Sequence, residues 1–229
     1  MTISALLFDK DGTLFDFART WNGWSMSVLT GLAEGDAERL AAMAAAISYD
    51  LDGAAFRPDS IVIAGTNAEV AERLSPFVPQ MSEGALAAHL IQTAGQAEIA
   101  QAVPLAPFLD GLKARGLKVG VMTNDGESSA RSHLSRSGVL ERFDMVIGAD
   151  SGFGAKPDPD PLLAFCTHTG ADPKATAMVG DSRHDLIAGR AAGMRTIGVL
   201  TGMATRADLE DLADVVLPDI GHIPAWLDS

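Results

Sequence analysis

Residues 5–17 read ALLFDKDGTLFDF. Ala5, Leu6, Leu7 and Phe8 form a continuous apolar run, the pattern of a strand covered on both faces of a sheet. Two carboxylates follow at once, Asp9 and Asp11, with Lys10 between them and Gly12-Thr13 directly after. Acids at the exit of a buried strand repel one another and lose hydration, so this pair asks for a compensating charge.

Further apolar runs share the character of the first, which extends as ISALLFD over 3–9: KVGVMTN (118–124), DMVIG (144–148), TAMVGD (176–181) and RTIGVL (195–200), with a weaker DVVLPD (214–219). Helical patterns lie between them, among them PFLDGLKARG (107–116), SSARSHLSRSG (128–138), DPLLAFCTHTG (160–170) and HDLIAGRAAG (184–193). Several end in glycine, a helix stop signal. Strand and helix alternate, which predicts an α/β fold, a doubly wound, Rossmann-like parallel sheet. Residues 15–95 break the alternation: AERLAAMAAAIS and NAEVAERLSPFV are rich in helix formers, and SIVIAG (60–65) reads as a buried segment. A single crossover does not need so long a stretch. The expected organisation is a core of residues 1–14 and 96–229 with a mostly α-helical unit, 15–95, inserted just past the acidic pair.

Hydrophobic residues make up 47% of the 229 and charged residues 21%, the balance of a globular chain with a sizeable core. No apolar run is long enough to span a membrane. A formal net charge of −13 with no basic cluster argues against nucleic acid as a partner. An anionic small molecule stays compatible with that charge if the site supplies its own positive field. Cys166 is the only cysteine, so an intramolecular disulfide is excluded and a buried structural thiol is expected. The N-terminal stretch lacks the pattern of a secretory leader, which gives the expectation of a cytoplasmic protein, a monomer or homodimer.

The strand ends carry the chemistry. Strand one ends in Asp9 and Asp11, strand two in Thr123 and Asn124, and strand four in Asp181 followed by Asp185; Lys156 lies in the loop GAKPDPDP after strand three. Parallel strands bring these ends to one rim. Three carboxylates there call for a divalent cation, and hard oxygen ligands suit Mg²⁺. Thr123, Asn124 and Lys156 supply donors for the nonbridging oxygens of a phosphate. One aspartate is then placed to attack phosphorus and another to move the proton.

With DKDGT at 9–13, MTN at 122–124, KPDP at 156–159 and GDSRHD at 180–185 in that order, the chain resembles the haloacid dehalogenase-like hydrolases, in the phosphatase branch with a helical cap. The resemblance covers residues 1–14 and 100–205 and implies that the insertion is a mobile cap. It further implies Asp9 as nucleophile and Mg²⁺ ligand. Asp11 is implied as general acid/base, binding the metal through its backbone carbonyl. Thr123 and Lys156 are implied as phosphoryl-binding, Asp181 as metal ligand, and Asp185 as the partner of a metal-bound water or of Lys156. The partner implied is a small phosphorylated metabolite, with 2-phosphoglycolate the first substrate to consider.

Two positions depart from the family pattern: Asp125 stands where many relatives carry lysine, and Phe17 where many phosphoglycolate phosphatases carry serine or threonine. Lys10 is expected to point away from the site, into solvent or a salt bridge. In the insertion, Arg19 and Arg57 are weighed as contacts for a substrate carboxylate against plain surface arginines. The alternatives are a phosphosugar mutase sharing the aspartyl-phosphate chemistry and a receiver-type signalling module.

Overall fold

The computed structural model describes residues 3–229. The chain runs β1 (Ala5–Phe8), α1 (Phe17–Ala33), α2 (Ala37–Ala46), β2 (Tyr49–Asp50), β3 (Ala55–Phe56), α3 (Asn67–Leu74) and α4 (Glu83–Ala94). It continues through α5 (Leu105–Ala114), β4 (Lys118–Met122), α6 (Glu127–Arg136), β5 (Met145–Ile147) and α7 (Asp160–Thr169). The last elements are β6 (Thr176–Gly180), α8 (Arg183–Ala191), β7 (Arg195–Val199), α9 (Arg206–Leu209), β8 (Val215–Leu217) and α10 (Ile223–Leu227).

Six strands form one sheet in the order β5-β4-β1-β6-β7-β8, every pair parallel. β1 pairs with both β4 and β6, so the chain winds outward from it in two directions. The crevice beyond the carboxyl ends at such a switch point is where open α/β sheets hold ligands. Phe8 is level with Val121 on one side and Val179 on the other, which puts Asp9 between the exits of β4 and β6. Side chains alternate across the sheet: Leu6 and Phe8 join an apolar layer with Leu105, Leu109 and Ile220, while Ala5 and Leu7 join Leu162, Phe165 and Met178 on the other face. Both faces are therefore covered, which is why the strands read as unbroken apolar runs.

Helices α1–α4 enclose a separate apolar cluster built on Phe17, Trp21, Leu29, Met43, Leu74, Leu86 and Leu90. Asp16 caps α1 by accepting from the Arg19 N–H at 2.9 Å. The segments entering and leaving this helical cap run side by side, with Asp16 N–H on Ala100 O at 2.8 Å and Ala102 N–H on Leu14 O at 2.9 Å. The fold is the expected one, with one addition. The two-residue strands β2 and β3 are too short for a sequence pattern, and Tyr49 and Phe56 join them edge to face, 5.0 Å between ring centroids. SIVIAG is half-buried rather than buried: Ile61–Ile63 make a single tight turn that packs partly on the cap cluster and partly faces the crevice. Among the described residues no helix is long and apolar enough to cross a membrane.

Candidate active site

The exit of β1 carries Asp9, whose N–H donates to Val179 O at 2.8 Å and so continues the sheet ladder by one residue. Lys156 reaches in from the loop after β5. Its Nζ donates to Asp9 Oδ1 at 2.7 Å and to Met122 O at 2.9 Å, and it stands 2.6 Å from Asp185 Oδ1. Asn124 aligns that loop, since its Oδ1 accepts from Lys156 N–H at 2.9 Å and its Nδ2 donates to Lys156 O at 2.9 Å. The same Nδ2 donates to Ala64 O of the cap at 2.8 Å. Both side-chain donors of Asn124 are thus committed to carbonyls. In this arrangement the Asn124 side chain, expected to face a phosphate, aligns the Lys156 loop and reaches the cap. Thr123 sits at the exit of β4, buried, and its Oγ1 accepts from Asp125 N–H at 3.1 Å.

Asp181 leaves β6 on the other flank of Asp9 and takes a hydrogen bond from Thr13 Oγ1 at 3.3 Å. Gly12 (φ +76°) and Gly202 close on its carboxylate from two sides, and a Cβ at either would overlap it. Thr201 Oγ1 donates to Gly12 O at 2.6 Å and fixes that cradle. Asp185 is the third residue of α8 and forms a capping box with Ser182, whose N–H and Oγ both donate to Asp185 Oδ2. Its other oxygen, Oδ1, is buried and ion-paired with Lys156 Nζ at 2.6 Å.

The carboxylate oxygens of Asp9, Asp181 and Asp185 lie within 4.8 Å of one another. Three buried carboxylates face one ammonium, an excess of negative charge. Burial, with Asp185 and Asp11 adding to it against the pull of Lys156, pushes Asp9 up to about 7. Burial and the charges of Asp9 and Asp185 likewise hold Asp181 well above the usual carboxylate range. Against the desolvation that opposes its charge, Asp185 and Asp9 hold Lys156 firmly protonated, above the usual lysine range. A hard divalent cation fits this donor set on its chemistry: oxygen ligands only, from three buried carboxylates, and an excess of negative charge over the one ammonium.

The crevice holds a cavity of about 60 Å³. Asp9, Asp11, Thr123 and Lys156 line its floor, and Phe17, Trp21, Trp24, Val62 and Val70 of the cap line its roof. Phe17, at the departure noted above, is part of that apolar roof. Arg19 and Arg57 do not line it; both are exposed, as plain surface arginines would be. His184, also exposed, stands at the rim, and Cys166 is buried behind β6 with its Sγ 3.6 Å from Thr176 Oγ1.

Lys10 does not reach solvent. It is completely buried, ion-paired with Asp11 at 2.9 Å and with Asp125 at 3.0 Å, and its Nζ is 3.1 Å from His133 Nδ1. The acid at 125 therefore does not weaken the field around the crevice unopposed; it is matched by the lysine at 10. Nothing local in the sequence marks His133, Gly202 or Asn67 as part of this region, because each arrives from a distant segment.

The chain matches the model of the haloacid dehalogenase-like hydrolase family over residues 3–193. It is 29% identical over 204 residues to the N-acetylmuramic acid 6-phosphate phosphatase of Pseudomonas aeruginosa, spanning 88% of this chain and 84% of that protein. It is 37% identical over 115 residues to the phosphoglycolate phosphatase of Neisseria meningitidis, 49% of this chain and 48% of that one. The chain spans about half the length of several of the curated relatives it matches. In fold it is similar to a HAD phosphatase from Thermococcus onnurineus, with a TM-score of 0.65, 22% identity, and 99% and 98% of the two chains covered. The β-phosphoglucomutase of Clostridium difficile gives the same TM-score, 0.65, at 18% identity, again over 99% of this chain and 98% of that one. A single family match running from the first strand to the end of α8, over the same strand exits that meet in the crevice, makes this chain a member of the haloacid dehalogenase-like hydrolase family.

Proposed function

We propose that the chain is a Mg²⁺-dependent phosphatase that hydrolyses a phosphomonoester of a small metabolite through an aspartyl-phosphate on Asp9. One observation carries the reading. A buried carboxylate at a strand exit is held at 2.7 Å by a lysine, beside two further buried carboxylates and with Asp11 two residues on. Held by Asp9, Asp181 and the Asp11 backbone carbonyl, with Asp185 bonding a metal-bound water or orienting Lys156, Mg²⁺ would offset the charge of these carboxylates and that of a phosphoryl group.

In this reading Lys156 Nζ, with the Thr123 hydroxyl, holds the nonbridging phosphoryl oxygens and keeps Asp9 ionised. An Asp9 carboxylate oxygen attacks phosphorus, the P–O bond to the alcohol breaks, and the leaving oxygen takes its proton from Asp11. The Asp11 carboxylate then accepts a proton from water as that water attacks phosphorus, releasing inorganic phosphate and Asp9. Residues 1–14 and 96–229 form the catalytic core and 15–95 the cap, whose closure excludes bulk water. The roof of Phe17, Trp21, Trp24, Val62 and Val70 supports an uncharged, partly apolar leaving alcohol over glycolate, whose carboxylate would meet no cap cation.

The test is phosphate release from a panel of phosphomonoesters containing 2-phosphoglycolate, sugar phosphates and aryl phosphates, with and without Mg²⁺. Asp9→Asn provides the background. Metal-dependent turnover that vanishes in a folded Asp9→Asn protein is expected, with 2-phosphoglycolate below the uncharged alcohols. Equal turnover in the variant would remove Asp9 from the reaction, and a preference for 2-phosphoglycolate would overturn the reading of the roof.

A further inference from the structure

The lysine between the two acids occupies a junction that phosphoryl transfer as described above does not use. Lys10 Nζ has three N–H groups and three kinds of acceptor around it: Asp11, whose oxygens lie at 2.9 and 3.1 Å, Asp125 Oδ2 at 3.0 Å, and His133 Nδ1 at 3.1 Å. The Trp21 ring centroid is 5.1 Å away and completes the enclosure. His133 is 2.7 Å from Ala94 O through Nε2, so Nε2 carries the proton and Nδ1 is left to accept from Lys10. Desolvation, reinforced by Lys10, holds His133 down at about 4, a neutral acceptor. Burial opposes the charge on Lys10, but Asp11 and Asp125 more than offset it.

The junction also reaches the cap at two points. Asp125 Oδ1 takes a hydrogen bond of 2.8 Å from Asn67 Nδ2 at the start of α3, and Ala94 O closes α4 on His133. Ser129 Oγ holds the other oxygen of Asp125 at 2.6 Å. A line of hydrogen bonds therefore runs from the cap to the candidate acid: Asn67, Asp125, Lys10, Asp11. Buried ion pairs are weak sources of stability, because desolvation of both charges offsets their attraction. An apolar side chain would fill the same space without needing three acceptors.

We propose that Lys10 is a positioning residue for Asp11, holding its carboxylate where it meets the leaving oxygen, and that Asn67 makes this placement depend on the docked cap. The inference rests on the reading of Asp11 as the acid that protonates the leaving group. Positioning an acid matters in proportion to how much the leaving group needs a proton. An alkyl phosphate needs it; p-nitrophenyl phosphate, whose phenolate leaves unaided, does not.

The experiment compares kcat and KM on glycerol phosphate and p-nitrophenyl phosphate for the wild type, Lys10→Met/Asp125→Asn and Asn67→Leu, with Asp11→Asn as reference. The double substitution removes the ammonium together with the charge of Asp125, so that Asp11 is the one partner carboxylate of Lys10 left without its ion pair. Its expected effect is a loss of about 10²-fold in kcat/KM on glycerol phosphate, within the contribution general acids make, with kcat/KM on p-nitrophenyl phosphate little changed; kcat/KM reports the step that releases the alcohol, whereas kcat falls on both esters wherever the Asp11-assisted attack of water limits turnover. Asn67→Leu, at the cap end of the line and on the wall of the cavity, gives a smaller loss with the same selectivity between the two esters. Combined with the double substitution it adds nothing further, as residues acting as a unit do. Equal losses in kcat/KM on both esters, or none on either, in a folded protein overturn the proposal. If the double variant does not fold, Asn67→Leu decides by the same criterion. An Asp11→Asn protein whose kcat/KM shows no leaving-group dependence would instead refute the acid assignment itself, so the two failures are told apart.

Discussion

Replacing Gly202 by alanine tests how tightly the candidate metal ligand Asp181 is held. A Cβ on residue 202 would overlap the Asp181 carboxylate and lie 2.7 Å from its Cβ. Carbon atoms in contact normally sit about 3.5–4.0 Å apart, so the aspartate must move by about 1 Å. The Gly12 backbone already lies close against the same carboxylate, where a Cβ would also overlap it, which limits the room for the aspartate to shift. Mg²⁺ demands near-ideal octahedral oxygen geometry at short range, and a displacement of about 1 Å in one ligand breaks it. We expect kcat to fall by about 10²-fold, the usual effect of misplacement on that scale, and half-saturation to shift to higher Mg²⁺. Overpacking of this kind destabilises by about 1–3 kcal/mol, which for a chain of this size lowers Tm by about 2–12 °C. The assay is phosphate release across a Mg²⁺ titration beside a thermal melt. Gly111→Ala is the control: nothing lies within 4 Å of its Cβ position in α5, so removing a helical glycine there stabilises by about 0.5–1 kcal/mol without touching activity. A Gly202→Ala protein with unchanged rate and metal requirement would refute the cradle.

Removing metal should make stability depend on pH near neutrality. Asp9 is raised to about 7 in the folded chain, so the metal-free protein binds a proton that the unfolded chain releases, and stability falls as pH rises through about 7. A chelated sample should therefore melt higher at about pH 6.5 than at about pH 8, and saturating Mg²⁺ should abolish the difference. His133 acts with the opposite sign: enclosed by Lys10, Asp11 and Asp125 and held at about 4, it is neutral when folded and protonates first when unfolded. Stability is lost as pH falls from about 6.5 towards 4, by about 3 kcal/mol, and His133→Asn should flatten that limb in denaturant titrations. Leu7→Ala, fully buried in β1 beneath the site, should cost about 2–5 kcal/mol in a urea melt, the range for such a cavity.

The strand exits were legible because three of the candidate side chains follow directly on apolar runs that must be buried strands. Asp9 after β1, Thr123 after β4 and Asp181 after β6 need only parallel pairing to meet. The Lys156 loop was readable from its order in the chain. What stayed hidden depends on partners far apart in sequence. Lys10 and His133 are 123 residues apart, and an isolated lysine between two acids gives no sign of whether it turns inward. Asn124 has the donors of a phosphate ligand, and only the approach of Ala64 and Lys156 shows them already occupied. Gly202 is one glycine among 23, and its neighbourhood to Asp181 comes from the packing of β7 beside β6. Which face of α1 roofs the crevice likewise followed from how the cap sits, since Trp21 and Trp24 look inward while Arg19, on the same helix, is exposed.

A covalent step at Asp9 leaves its record in the stereochemistry at phosphorus. A thiophosphate monoester made chiral at phosphorus with oxygen isotopes would be hydrolysed in isotopically labelled water and the product configuration read. Attack by Asp9 followed by attack of water is two in-line displacements, so the account predicts retention. Inversion would mean that water attacks the ester directly and would contradict the aspartyl-phosphate.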